Sequence, residues 1–147
     1  FTVTTQEEML RTLGNILDIL TMAIGGLGSI SLVVGGVGIV TIMTIAVAER
    51  TGEVGLMLAL GAQRRTILGL FLGEAVVLAV LGGAMGLALG IGLAQLIHAF
   101  VPALPVHTPV GYAVLAVALS AVIGLVAGVL PARRASRLDP VESLRAE

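Results

Sequence analysis

The stretch ILTMAIGGLGSISLVVGGVGIVTIMTIAVA, from Ile19 to Ala48, decides the fold class because it holds no charged side chain. As an α-helix it extends about 45 Å at about 1.5 Å per residue, against roughly 30 Å of bilayer hydrocarbon. Backbone groups left unpaired in lipid cost several kcal/mol each, so a helix that pairs them internally is the expected form. The surplus length tilts or projects, and polar Asp18 and Thr21 predict projection beyond the N-terminal end of the span. A second neutral run, Ala75–Ala132, is too long to cross once. Pro102, Pro105 and Pro109, with His98 and His107 nearby, divide it into two helices joined by a short polar turn. The chain therefore reads as an all-α membrane protein with three spans, over about 24–47, 67–97 and 110–130.

Composition agrees. Of 147 residues, 57% are apolar and 12% charged, where a soluble domain carries about 25% charged. A domain this small leaves too much surface exposed to hide that deficit in a core, so the lipid bilayer is its main solvent. One Tyr, three Phe, no Trp and no basic stripe exclude a nucleic-acid partner. The lack of Cys excludes disulfides and thiolate metal sites. The opening Phe1-Thr2-Val3-Thr4 has no basic n-region and apolar stretch of a signal peptide, which predicts a piece of a longer chain.

All eight basic residues are Arg. Arg50, Arg64 and Arg65 follow the first span, and Arg133, Arg134, Arg137 and Arg145 fill the tail. The other side holds Arg11, beside Glu7, Glu8 and Asp18. That asymmetry predicts residues 1–18 outside, with the 49–65 loop and the 133–147 tail in the cytoplasm. An outside N-terminus without a signal implies an earlier span upstream. The outer segment, 1–18, is expected to be an amphipathic helix running into the first span. Thr5-Gln6-Glu7-Glu8 fits a capping box, and Leu10, Leu13, Leu17 and Leu20 recur at helical spacing. It is either an ordinary juxtamembrane helix or a stalk coupling the membrane to an outer domain.

Small residues recur at i, i+4 spacing: Gly82, Gly86 and Gly90; Gly69 and Gly73; Gly124 and Gly128. Such faces let helices approach closely where no hydrophobic effect drives association. They serve packing among the chain's own helices or a seam with a second copy or sister subunit. Glu74, about 13 Å along a helix from Arg65, is an intramembrane carboxylate and is expected to make a polar contact inside the bundle. Ser29, Ser31 and Ser120 lie in spans, whereas His98 and His107 sit at the membrane edge, away from the depth a serine hydrolase needs.

The loop from Ala48 to Arg65 is the most informative segment. Gly52 permits a sharp exit from the first span, and Glu53 falls in the first turn of a short helix, where a carboxylate favours the dipole. Val54, Leu56, Leu58 and Leu60 make that helix substantially apolar. Gly61 is a natural C-cap. Arg64 and Arg65 mark where the next span begins.

These residues resemble the FtsX-like permease family, the membrane subunits of MacB, lipoprotein-release and cell-division type ABC transporters. The family's acidic-Arg-Thr-x-Glu-(Ile/Val)-Gly stretch, followed by Ala-(Leu/Met)-Gly-Ala and basic residues, is matched by Glu49, Arg50, Thr51, Glu53, Val54, Gly55, Ala59, Leu60, Gly61, Ala62, Arg64 and Arg65. The match continues through Phe71-Leu72-Gly73-Glu74-Ala75, through Leu81-Gly82-Gly83, and into the tail from Pro131 to Arg145. The resemblance implies an inner-membrane permease of an ABC transporter. Its Gly52–Leu60 segment would be a coupling helix on a partner ATPase, and that partner, not this chain, would bind ATP and Mg. It also implies a permease dimer and suggests a periplasmic adaptor or outer-membrane partner. Its output would be export, lipoprotein release or activation of an outer partner. Met57 and Leu58 stand where the family commonly has basic residues, so the contact there is expected to be apolar. No Walker-type glycine loop is present. The competing reading is an ATPase-independent channel or carrier for small solutes, which needs polar groups along a mid-membrane path.

Overall fold

The computed structural model describes residues 1–103 and 105–145. Among them every regular element is helical: α1 (Thr2–Glu49), α2 (Thr51–Ala59), α3 (Arg64–Phe100), α4 (Val110–Ser136) and α5 (Pro140–Arg145). Helices α1, α3 and α4 are long and apolar enough to cross a membrane. Each expected span lies inside one of them.

The chain forms two compact units, Phe1–Gly35 and Gly36–Glu147. In the first, a single stretch of α1, every residue is exposed. Its hydroxyls fold back on their own helix: Thr21 donates to the Leu17 carbonyl at 2.8 Å, Ser29 to Gly25 at 2.8 Å and Ser31 to Leu27 at 2.9 Å. That habit lets a hydroxyl sit in an apolar medium. The capping box at Thr5 does not form. The Thr5 N–H already donates to the Phe1 carbonyl in the helical pattern, at 3.3 Å, and its hydroxyl reaches the same oxygen at 2.9 Å. Thr5 is thus interior to the helix and not its cap.

The second unit holds the core. Met43 and Val47 of α1 join Val54, Ile67, Phe71, Ala75, Ala132 and Ala135 in one buried cluster. Above it α3 and α4 pack through small residues. A methyl group on Gly124 would lie 2.5 Å from Ala79 Cβ and 2.8 Å from the Ala75 carbonyl oxygen, and one on Gly128 would lie 2.5 Å from Ala75 Cβ. Gly83 faces the Ser120 side chain just as closely. The two backbones approach because each large neighbour is replaced by hydrogen or methyl, the condition for helix association in lipid.

Helix α4 runs on through Pro131, which is fully buried, to Ser136. The helix thus continues past Leu130, where the expected span ends. Proline removes a backbone donor and so leaves the Ala127 carbonyl without its helical N–H. Packing against neighbouring helices lets membrane helices tolerate that loss.

Candidate functional site

At one end of the second unit, α2 sits between α1 and α3. The exit from α1 is not made by Gly52, as expected, but by Arg50 (φ −102°, ψ 19°), and Gly52 lies inside α2 with an ordinary helical φ. The break holds because the Thr51 hydroxyl lies 3.0 Å from the Val47 carbonyl oxygen and 2.8 Å from that of Ala48. These are among the carbonyls that a helix end leaves without partners.

The other end of α2 closes on Gly61, at φ +96°. The Ala62 N–H donates to the Met57 carbonyl at 2.9 Å and the Gly61 N–H to Leu58 at 3.1 Å. This is a Schellman arrangement, and its left-handed residue has to be glycine or accept strain. Gln63 then takes an extended conformation and Arg64 starts α3.

The faces of α2 divide cleanly. Val54 and Gly55 are buried; Met57 and Leu58 are half-buried. Glu53, Leu56, Ala59 and Leu60 point outward, with Leu56 and Leu60 at 52% and 80% exposure. Two large aliphatic side chains along one exposed edge, Leu56 in the nine-residue helix and Leu60 at its C-cap, are costly to leave in water. Glu49, Arg64 and Arg65 are exposed at the flanks, and Ala62 is half-buried.

Glu74 finds its partner here. Arg50 Nη1 lies 3.8 Å from Glu74 Oε2, with the two side chains 54% and 40% exposed. The pair crosses from the α1–α2 junction to α3 and lines a groove of about 110 Å³ with Glu53, Val54, Met57, Leu70 and Phe71. Sequence reasoning had named both residues but not their pairing.

A second contact was also missed. Helix α5 packs on α2, with Ser143 buried and placed against Gly55. The hint lay in Asp139-Pro140-Val141-Glu142, a helix start whose Asp139 Oδ1 accepts from the Val141 N–H at 3.0 Å. The glycines divide differently from their spacing. Gly124 and Gly128 lie in the α3–α4 seam, whereas Gly82, Gly86, Gly90, Gly69 and Gly73 meet nothing within 4 Å, and Gly83 takes their place in the seam.

Residues 25–140 match the model of the FtsX-like permease C-terminal family. The chain is 42% identical over 144 residues to a macrolide export ATP-binding/permease protein MacB of Rhodopseudomonas palustris, covering 98% of this chain and 22% of the relative. It is 43% identical over 147 residues to the MacB of Bdellovibrio bacteriovorus, again spanning 22% of it. An uncharacterized ABC transporter permease of Bacillus subtilis, YknZ, is 42% identical over 149 residues, of which the chain covers 37%. The chain thus spans about a fifth of the MacB relatives and just over a third of YknZ. A match that takes in all three apolar helices and the loop between the first two, with such identity along the whole length, makes this chain a multi-pass membrane protein of the FtsX-like permease family.

Proposed function

We propose that α2 is the coupling helix of an ABC permease, docking on a cytoplasmic ATP-hydrolysing partner that binds ATP and Mg. One observation carries this reading: α2 is held from behind by buried Val54 and Gly55 while Leu56 and Leu60 stand exposed. An edge of that kind suits the apolar groove of a partner. With Met57 and Leu58 half-buried, the contact is made by aliphatic side chains and Glu53. Closure of the ATPase pair would push α2 and, through Arg50 and Gln63, the ends of α1 and α3. Arginine asymmetry supports a cytoplasmic α2 and an outward N-terminal end. The names of the MacB relatives favour export over the other two outputs. The open Gly82, Gly86 and Gly90 stripe suits a permease dimer. A solute channel finds less support: Glu74 is paired with Arg50, and the Ser120 hydroxyl donates to the Ala116 carbonyl at 2.9 Å.

The test uses cysteine crosslinking, to which residues 1–147 contribute no cysteine of their own. Cysteines at Leu56 and Leu60 should capture the co-expressed ATPase, and one at Val54 should not. Absence of any adduct from Gly52 to Leu60 would overturn the docking.

A further inference from the structure

We infer that Ser143 is a positioning residue for α2: through its contact with Gly55, helix α5 fixes the attitude of the coupling edge. The inference rests on the coupling role proposed above, but its geometry is independent of that role. A methyl group built on Gly55 would lie 2.6 Å from Ser143 Cβ and 3.5 Å from both the Pro140 carbonyl oxygen and Ser143 Oγ. Carbon atoms do not approach so closely, so Gly55 is the one residue type that lets α5 seat here without a shift. Ser143 is only 3% exposed.

The seam is built from both sides. On α5, the Ser143 hydroxyl donates to the Asp139 carbonyl at 2.6 Å, and the Ser143 N–H donates to the same oxygen at 2.9 Å. The hydroxyl is thereby satisfied without α2, and what Ser143 offers Gly55 is its Cβ. Asp139 accepts from the Val141 N–H and Pro140 presets the first turn, so this short helix is held by its own start. On α2, Gly55 lies beside buried Val54, about 100° around the helix from the exposed Leu56. With α5 seated on Gly55, α2 cannot roll about its own axis without bringing a neighbouring side chain, Thr51 or Leu58 one way and Ala59 the other, against Ser143. A nine-residue helix bounded by a break at Arg50 and a left-handed glycine at Gly61 needs such a stop, because neither end fixes its roll.

The experiment uses the full-length protein in lipid nanodiscs with nitroxides on cysteines replacing Leu60 and Val141, both well exposed. Their distance distribution reports the seating of α5 on α2. Gly55→Ala should shift or broaden it; Ser143→Ala, which keeps Cβ, should leave it unchanged. In a Ser143→Gly background, adding Gly55→Ala should have little effect, because the obstructing Cβ is gone. In proteoliposomes with the ATPase partner, ATP-driven transport of a macrolide probe should fall about tenfold in Gly55→Ala, the equivalent of a modest overpacking penalty, and the double variant should match Ser143→Gly alone. An unchanged distance in Gly55→Ala overturns the seam. A changed distance with undiminished export overturns the positioning role. Failure of the Leu56 crosslink to the ATPase, by contrast, removes the coupling reading and leaves the distance result to decide the seam.

Discussion

Single positions in this chain differ sharply in what they tolerate. Gly124 and Gly86 are both glycines in the middle of apolar helices, yet a methyl at Gly124 meets Ala79 Cβ and the Ala75 backbone, whereas one at Gly86 meets nothing within 4 Å. Gly124→Ala should destabilise the single chain by about 1–3 kcal/mol, while Gly86→Ala should leave the single chain unchanged or more stable by up to about 1 kcal/mol through helix propensity. Unfolding in mixed micelles checks both; equal losses would contradict the seam. The Arg50–Glu74 pair is a weaker contact, since both side chains are about half exposed (54% and 40%). A double-mutant cycle with Arg50→Ala and Glu74→Ala should return a coupling of about 1 kcal/mol or less. Spacing marked the glycine stripes as faces for packing inside the chain or against a second copy. It did not say which, because periodicity gives a face and not the neighbour on it. The pairing of Arg50 with Glu74 was hidden for a related reason: it joins separate helices across a loop, and nothing local to either residue encodes the meeting.

Elements were more legible than contacts. The charge-free runs located all three long helices, because in lipid the cost of an unpaired peptide group overrides weaker propensities. Gly61 as the stop of α2 was equally readable, since left-handed backbone selects glycine. Gly61→Ala should cost about 1–2 kcal/mol for the left-handed residue and speed amide exchange at Gly61 and Ala62, whose N–H groups close the Schellman bonds; unchanged exchange would mean the end of α2 does not depend on that bond pair. Boundaries were less readable where a local signal competes with a longer one. Thr5 and Gly52 carry cap and hinge chemistry, yet α1 already runs through Thr5, and the Thr51 hydroxyl makes Arg50 the break. Pro131 carries a stop signal that burial overrode.

For the whole molecule, the proposed arrangement makes a topological prediction. A cysteine at exposed Gln63 should resist a membrane-impermeant maleimide in intact cells and react after permeabilisation; labelling without permeabilisation would put α2 on the wrong side for ATP. Family membership was legible from the 48–65 loop and its tail because both combine charge, glycine and aliphatic residues in a fixed order. The α5 contact was not, since Gly55 and Ser143 are far apart in sequence and each is unremarkable alone. Pro131 carries a mechanical consequence. The hydrogen bond it omits softens α4 below the glycine-tight part of its seam with α3. The final turn is nonetheless pinned, because Ala132 and Ala135 lie in the same buried cluster as Met43, Val54 and Phe71. A push on α2 would thus reach the end of α4 through Val54 and those two alanines, with no need to prise the glycine seam apart.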